Sequence, residues 1–347
     1  MKKWYEAPGP EQAAVLSSCV NVSRNLRGIP FPAGLDAEGR QAVVQKLRSA
    51  VLSEKNVISD DFRFVDLNGL RTVEAVSLAE RGIVKADFAE DREGRCVLFS
   101  ADESSSIMVN GDDHFLIQIR QPGLSLKEAY SSEDRLDTIL DKFLHFAFDK
   151  QLGYLTSNPA MLGTGMLASL NLHLPALADS GAVVRIASSL RPLGISLSSV
   201  MHPHGSVYRL SNRITLGLSE EDAVDNLCGI ARQIVAQEYE ARKRLIRSIS
   251  VQDTVGRSFG IFCSARLLSF NEFLDLASVV RFGIASGFEK NFRVEDVDSL
   301  AMRVQPACLA LEAGVGLTES EEQAMRAKIV RETFSGHTEK KEGGNEG

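Results

Sequence analysis

An α+β fold is what the 347-residue sequence predicts, and three observations carry the prediction. Short β-rich runs gather near residues 96–119 and again near 195–210, where a strict βαβ alternation would space them evenly. Stretches with apolar residues three and four apart follow each group. From about Val251 to Phe334 the chain has few β-branched alternations and reads mainly as helix.

Taken in order, Cys96-Val97-Leu98-Phe99 reads as a strand and Ile107-Met108-Val109 as a second. Asn110-Gly111 marks a turn, because both residues tolerate positive φ, and Phe115 to Ile119 reads as a strand on its far side. Asp112, Asp113 and His114 make this loop longer than a two-residue hairpin. The pairing should be antiparallel. Ser131 or Ser132 is expected to cap a helix opening on Glu133-Asp134, with acids at the positive end of its dipole. Its buried stripe would be Leu136, Ile139, Leu140, Phe143 and Ala147. Ile195–Val200 and Val207–Leu210 read as two more strands, joined by Met201 to Gly205. Ser219-Glu220-Glu221-Asp222 resembles a capping arrangement for a long helix that runs on through the charged stretch Glu238–Arg247. Val224, Leu227, Ala231, Ile234 and Val235 form its apolar stripe. The tail 335–347, rich in Lys, Glu and Gly, is expected to be disordered.

Composition narrows the function classes. With 44% hydrophobic and 24% charged residues the chain can bury a sizeable core, as one large domain and a smaller one or as two of moderate size. A net charge of -7 argues against a general nucleic-acid binder. No apolar run approaches the roughly 18 residues of a membrane span, and Met1 to Glu6 lacks the apolar stretch of a signal peptide. The expected location is the cytoplasm, away from membranes. Cys19, Cys96, Cys228, Cys263 and Cys308 are odd in number and scattered, without a C-x-x-C pair. Reduced, mostly buried thiols are expected, with no disulfide framework or cysteine zinc site.

Isolated motifs say little. His202-Pro203-His204 offers two imidazoles, but no carboxylate or thiol is held beside them by sequence, so a surface loop is the plain reading. Gly163-Thr164-Gly165 lacks the lysine of a phosphate-binding loop and reads as a turn. Ser17 and Ser18 have no His or Asp partner placed by spacing. No metal is expected.

An ordered set of segments is more specific. Gly9-Pro10-Glu11, Val15-Leu16-Ser17-Ser18 and Ser23-Arg24-Asn25-Leu26 are followed by Asn110-Gly111-Asp112-Asp113-His114. Then come Gly153-Tyr154-Leu155-Thr156-Ser157-Asn158-Pro159, Gly163-Thr164-Gly165-Met166, His173-Leu174-Pro175-Ala176-Leu177 and Leu210 to Gly217. Arg257-Ser258-Phe259-Gly260 and Arg281-Phe282-Gly283-Ile284 complete the series. From about residue 9 to 334 this order resembles bacterial protein arginine kinases (McsB), of the ATP:guanido phosphotransferase or phosphagen kinase family. The resemblance implies a phosphagen-kinase catalytic fold over 9–250, an antiparallel sheet packed with helices, and a helical dimerisation domain over 251–334. It also implies transfer of the γ-phosphate of Mg-ATP to the guanidinium of a protein arginine, by a cluster of arginines that hold phosphate oxygens.

Departures from the family pattern fall on those arginines. The family's Ser-Ser-Arg-x-Arg is Ser17-Ser18-Cys19-Val20-Asn21 here. The arginine after the Asn-Glu-Glu-Asp-His loop falls at Leu116, and the one after Gly-Thr-Gly falls at Leu167, with Ala168 and Ser169 next to it. The last falls near Ser198, and the histidine expected beside adenine at Gly82. Arg120 lies four residues past Leu116 on the same strand face, too far along to stand in for it. Of the family's loop carboxylates Asp112 alone survives as a candidate base, shortened by a methylene, against the plainer reading of a solvated loop acid. Of the family's phosphoarginine pocket Arg326 and Ala327 persist, with Glu322 replacing the leading arginine; a charged residue on an amphipathic helix is the plain alternative.

The expectation is therefore a pseudokinase acting through protein contacts. The family's setting implies Clp-type protease components and a zinc-binding activator as partners, and a homodimer. The alternative is an active phosphotransferase using Mg-ATP in a rebuilt site. A third reading is a small-molecule or peptide binder using the apolar cleft around Leu116 and Leu167.

Overall fold

The structure is a computed structural model that describes residues 2–52, 62–201 and 203–335. Among these, an eight-stranded antiparallel sheet forms the centre. Its strands are β1 (Val15–Arg24), β2 (Phe62–Asp66), β3 (Cys96–Ser100), β4 (Ser105–Val109), β5 (Phe115–Pro122), β8 (Met166–His173), β9 (Ile195–Ser199) and β10 (Val207–Asn212). The short strands β6 (Phe148–Asp149) and β7 (Gly153–Tyr154) pair separately. The order across the large sheet is β2-β3-β4-β5-β1-β8-β10-β9. Expected strands at 96–99, 107–109, 115–119, 195–200 and 207–210 are all present, with ends shifted by at most three residues.

Two interior strands, β1 and β8, carry no clear strand signal in the sequence. Ser17, Ser18, Cys19, Asn21 and Ser23 dilute the β-branched pattern of β1, and β8 is a run of Leu, Ala, Ser and Asn. Both are strands because each is paired on its two edges, β1 with β5 and β8, and β8 with β1 and β10. The hairpin at Asn110 forms as expected: Asn110 takes φ 62°, and its N–H donates to the His114 carbonyl at 3.0 Å.

The helices are α1 (Ala37–Leu52), α2 (Thr72–Glu80), α3 (Ala86–Glu90), α4 (Leu126–Leu144), α5 (Pro175–Asp179) and α6 (Ala182–Leu190). Then follow α7 (Glu220–Leu245), α8 (Ile249–Ser264), α9 (Phe270–Ala285), α10 (Val294–Arg303), α11 (Pro306–Ala313) and α12 (Glu319–Ser335). The long helix α7 starts where expected, with Ser219 Oγ accepting from the Asp222 N–H at 3.1 Å, and its apolar stripe is buried. It stops at Leu245, just short of Arg247. Helix α4 is a correction. It begins at Leu126, so Ser131 and Ser132 sit inside it, because Leu126 and Ala129 extend the buried stripe upstream. It ends at Leu144 with His145 in the left-handed region, leaving Phe143 exposed and Ala147 past the end.

One face of the sheet packs on α4 and α7, and that core draws on residues from Ala14 to Val235. A second core, Val255 to Phe334, belongs to α8–α12. A third lies on the opposite sheet face, where α2 and α3 set Leu78, Phe88 and Ala89 against Val97, Phe99 and Met108. The thiols are less buried than expected: Cys96 and Cys228 are buried, Cys19 and Cys308 half-buried, and Cys263 exposed. No described helix is long and apolar enough to cross a membrane. The tail expected to be disordered lies outside the described residues, apart from Ser335 at the end of α12.

Candidate functional site

Strand alternation decides which residues share a surface. On β1, Val20 and Val22 turn into the main core, so Cys19, Asn21 and Ser23 turn the other way. Across the sheet Asn21 lies opposite Leu167 on one side and Gln118 on the other. Ser23 is opposite Leu116, and Cys19 lies between Ser169 and Arg120. Five of the singled-out positions, Cys19, Asn21, Leu116, Leu167 and Ser169, thus meet on one face, three strands wide. Leu116 packs against the third core, and Asn21 Nδ2 lies 3.4 Å from Cys19 Sγ.

Other singled-out residues are elsewhere. Ser18 and Ala168 point to the opposite, main-core face, since each is one residue out of step with the row above. Ser18 Oγ donates to the Gly123 carbonyl at 2.7 Å and accepts from the Ser125 N–H at 2.9 Å, while Ala168 is fully buried. Ser17 does face the open side, accepting from Asn171 Nδ2 at 3.1 Å. Ser198 is on the edge strand β9, opposite Arg209, two strands beyond Leu167 and exposed. That places it on the order of 15 Å from Leu167 at the backbone.

Around Leu116 the sheet is covered by the segment between α2 and β3. Lys85, Asp87, Phe88 and Arg95 line a small pocket there with Leu116 and Asp112. No local motif marks Lys85 or Arg95, and only the fold carries them to this place. Arg95 is already engaged, pairing with Asp91 at 2.9 Å and donating to the Asn110 carbonyl at 3.1 Å. Asp112 is exposed, whereas Asp113 is buried and accepts from Asn25 and Ser157.

Gly82 sits at φ 70°, and a Cβ there would run into the guanidinium of Arg120. Arg120 therefore reaches sideways off β5 into the space that Gly82 leaves. The Gly163-Thr164-Gly165 segment is tight for a structural reason. Gly165 has φ 63°, and a Cβ would meet the Ser23 carbonyl and Arg24 Nη1 at 2.9 Å. Arg24 itself is fully committed. It forms a two-pronged pair with Asp137 at 2.9–3.1 Å, donates to the Thr164 carbonyl and stacks 3.5 Å over Tyr154.

The histidines hold structure. His114 Nδ1 accepts from the Leu26 N–H, so its Nε2 donates to the Pro30 carbonyl, and burial lowers its pKa. His173 is fully buried; burial and then the guanidiniums of Arg281 and Arg242 keep it well below the usual imidazole range and hence neutral. His204 pairs with Asp275 at 3.0 Å, and His202 lies outside the described residues. Arg326, for which the resemblance implies a place in a phosphoarginine pocket, is not a surface residue of an amphipathic helix. It is wholly buried, donating to the carbonyls of Val304 and Leu268 at 2.9 and 3.0 Å and pairing with Glu322. No face of its guanidinium is open to a phosphate in this conformation.

Residues 42–241 match the family model of the ATP:guanido phosphotransferase C-terminal catalytic domain, and residues 248–345 that of the protein-arginine kinase McsB C-terminal domain. A protein-arginine kinase of Pelotomaculum thermopropionicum is 36% identical over 339 residues, 96% of this chain and 95% of the relative. One from Brevibacillus brevis is 35% identical over 335 residues, 95% and 94% of the two chains. The chain belongs to the protein-arginine kinase family. Solved guanidino kinases share the fold of this protein-arginine kinase homologue. A lombricine kinase superposes with TM-score 0.58 at 19% identity, covering 67% of this chain and 68% of that one. A substrate-free duplicated taurocyamine kinase from Schistosoma mansoni gives 0.60 at 20% identity, over 79% and 42%.

Proposed function

We propose that this chain keeps the scaffold of a protein-arginine kinase without efficient phosphoryl transfer, and that it acts through protein contacts. The supporting observation is the row Cys19, Asn21, Leu116 and Leu167: adjacent on one open sheet face, and none of them cationic. Phosphoryl transfer is catalysed mainly by positioning and by charge set against the phosphate oxygens. A hydrogen bond to a charged group contributes about 1.5–3 kcal/mol. Losing several together costs many powers of ten in rate, even without strict additivity. The side chains present do not fit a Mg-bound triphosphate, since Leu116 joins an apolar cluster and Arg120 fills the space beside Gly82.

Calorimetry with Mg-ATP should give no binding heat, and an assay for acid-labile arginine phosphate should find none. Replacing Cys19, Asn21, Leu116 and Leu167 together by arginine should restore nucleotide binding. A second reading, an active enzyme with a rebuilt site, draws on Lys85 and Arg95 beside Leu116 and Asp112. Turnover that Asp112→Asn abolishes would establish that reading and sink the first.

As partners we propose Clp-type protease components and a zinc-binding activator, with self-association through the helices of 251–334, on the strength of family membership alone. Sedimentation of the full chain should give a dimer, and affinity purification from the native host should recover a Clp component. A monomer with no Clp protein bound would refute this part.

A further inference from the structure

Strand β9 closes one side of the sheet, with β10 as its only neighbour. An antiparallel pair alternates rows that bond across the ladder with rows that do not. The Arg213 N–H donates to the Gly194 carbonyl at 2.8 Å, and the Val200 N–H to the Val207 carbonyl at 2.9 Å. The register between these two rows is unbroken, so Ser196 and Ser198 also bond toward β10. The N–H and C=O groups of Ile195, Leu197 and Ser199 therefore point away from it. No described residue bonds to them. Proteins commonly guard such an edge with charge, proline or a bulge. Ile195–Ser199 has none of these.

An apolar groove of about 590 Å³ lies at the start of the strand, lined by Leu193, Ile195, Ile214, Leu216 and, from α7, Ile230. Leu193, Ile214 and Leu216 are 64%, 50% and 50% exposed. The carboxylate among its lining residues, Asp225, is paired with Lys127 at 2.5 Å. The charge around this edge is one-sided. Ser180 to Ser219 holds four arginines and no Asp or Glu, in a chain of net charge -7. Arg191 and Arg213 flank the groove in sequence; both are exposed and have no ion-pair partner among the described residues.

We propose that the free edge of β9 takes up an extended acidic segment of a partner protein as an added strand. Main-chain hydrogen bonds to Ile195, Leu197 and Ser199 hold it, an aliphatic side chain fills the groove, and its carboxylates face Arg191 and Arg213. A nucleic acid would meet the arginines but leave the strand edge and the apolar groove unused. Ser198 takes no part, since its backbone is bonded toward β10 and its side chain lies on the opposite sheet face from Leu197. The contact rests on the reading that this chain acts through protein contacts. It does not depend on loss of phosphoryl transfer, so its failure would leave the Mg-ATP result untouched.

Random short peptides displayed on phage and selected on the immobilised full chain should converge on Asp or Glu alternating with Val, Ile or Leu. A synthetic peptide of that consensus should bind about tenfold or more weakly to the double variant Arg191→Glu, Arg213→Glu. Ser199→Pro removes an outward N–H and no bond to β10, and should weaken binding while thermal unfolding stays unchanged. Hydrogen exchange in the segment 195–199 should slow when the peptide is bound. No enrichment, a consensus without acidic residues, equal binding by the arginine double variant, or unchanged exchange in 195–199 would each overturn the proposal. So would displacement of the peptide by single-stranded oligothymidylate.

Discussion

Glu133 is a carboxyl group on the buried side of α4, with only 2% of its surface exposed and one oxygen lacking a hydrogen-bond partner. Burial, and then the neighbouring Asp137, push its pKa up to about 8, against a smaller opposing pull from Arg24. The Arg24 guanidinium instead grips Asp137. Between the ordinary carboxyl range and about pH 8, the folded protein holds this proton and the unfolded chain does not. Stability from this group is therefore complete below the ordinary range and falls as pH rises through that window. Glu133→Gln keeps the shape and cannot ionise. Urea unfolding should show variant and parent nearly equal at pH 5, with the variant ahead by about 3 kcal/mol at pH 8.5. An equal difference at both pH values would mean that Glu133 is ionised in the fold. Arg326 teaches a related lesson at this scale. The sequence resemblance implies a pocket role for it, but three-way burial against Val304, Leu268 and Glu322 uses its donors.

At the scale of elements, β1 does two jobs through its two-residue period. One side contributes Val20 and Val22 to the main core; the other presents Cys19 and Asn21 to the open face. A substitution on the open side therefore leaves the core side untouched. The opposite holds for the loop ahead of β8. Gly165 at positive φ lies against backbone, and Arg24 is locked to α4 through Asp137, so this corner has no slack. Helix α4 extends upstream of its expected start because burial against β1 and β5 outweighs the capping preference of Ser131 and Ser132.

On the scale of the whole molecule, the main core and the C-terminal core meet at a buried polar joint. Arg281 on α9 pairs with Asp298 at 2.7 Å and donates to the carbonyls of Ala13 and Gln12 at 3.0 and 2.7 Å. Arg242 on α7 reaches the His173 carbonyl at 2.8 Å and is held by Glu238. His173, neutral, sits between both arginines with Nε2 directed to Ser278. The bonds of Arg281 to Gln12 and Ala13, and of His173 to Ser278, cross from the sheet to the helical part. Arg281→Met removes the cation and strands Asp298, at a cost of about 3–5 kcal/mol. Calorimetry should then show two separate unfolding transitions, one for each core. A single cooperative transition in that variant would show that the apolar contacts between the cores suffice to couple them.

The α+β class, five of the strands and the apolar stripe of α7 follow from the sequence because they rest on short-range periodicity. So does membership of the protein-arginine kinase family, through motifs in order along nearly the whole chain. That Cys19, Asn21, Leu116 and Leu167 carry no positive charge is likewise plain in the sequence. Tertiary structure alone decided that these four share a face while Ser18 and Ala168 turn away, since that depends on strand pairing between residues over a hundred positions apart. It also decided that Arg120 leans into the space at Gly82, that Arg326 is buried, and that β9 ends the sheet with a free edge. A strand's local pattern tells which side chains alternate; only its neighbours determine what each side meets.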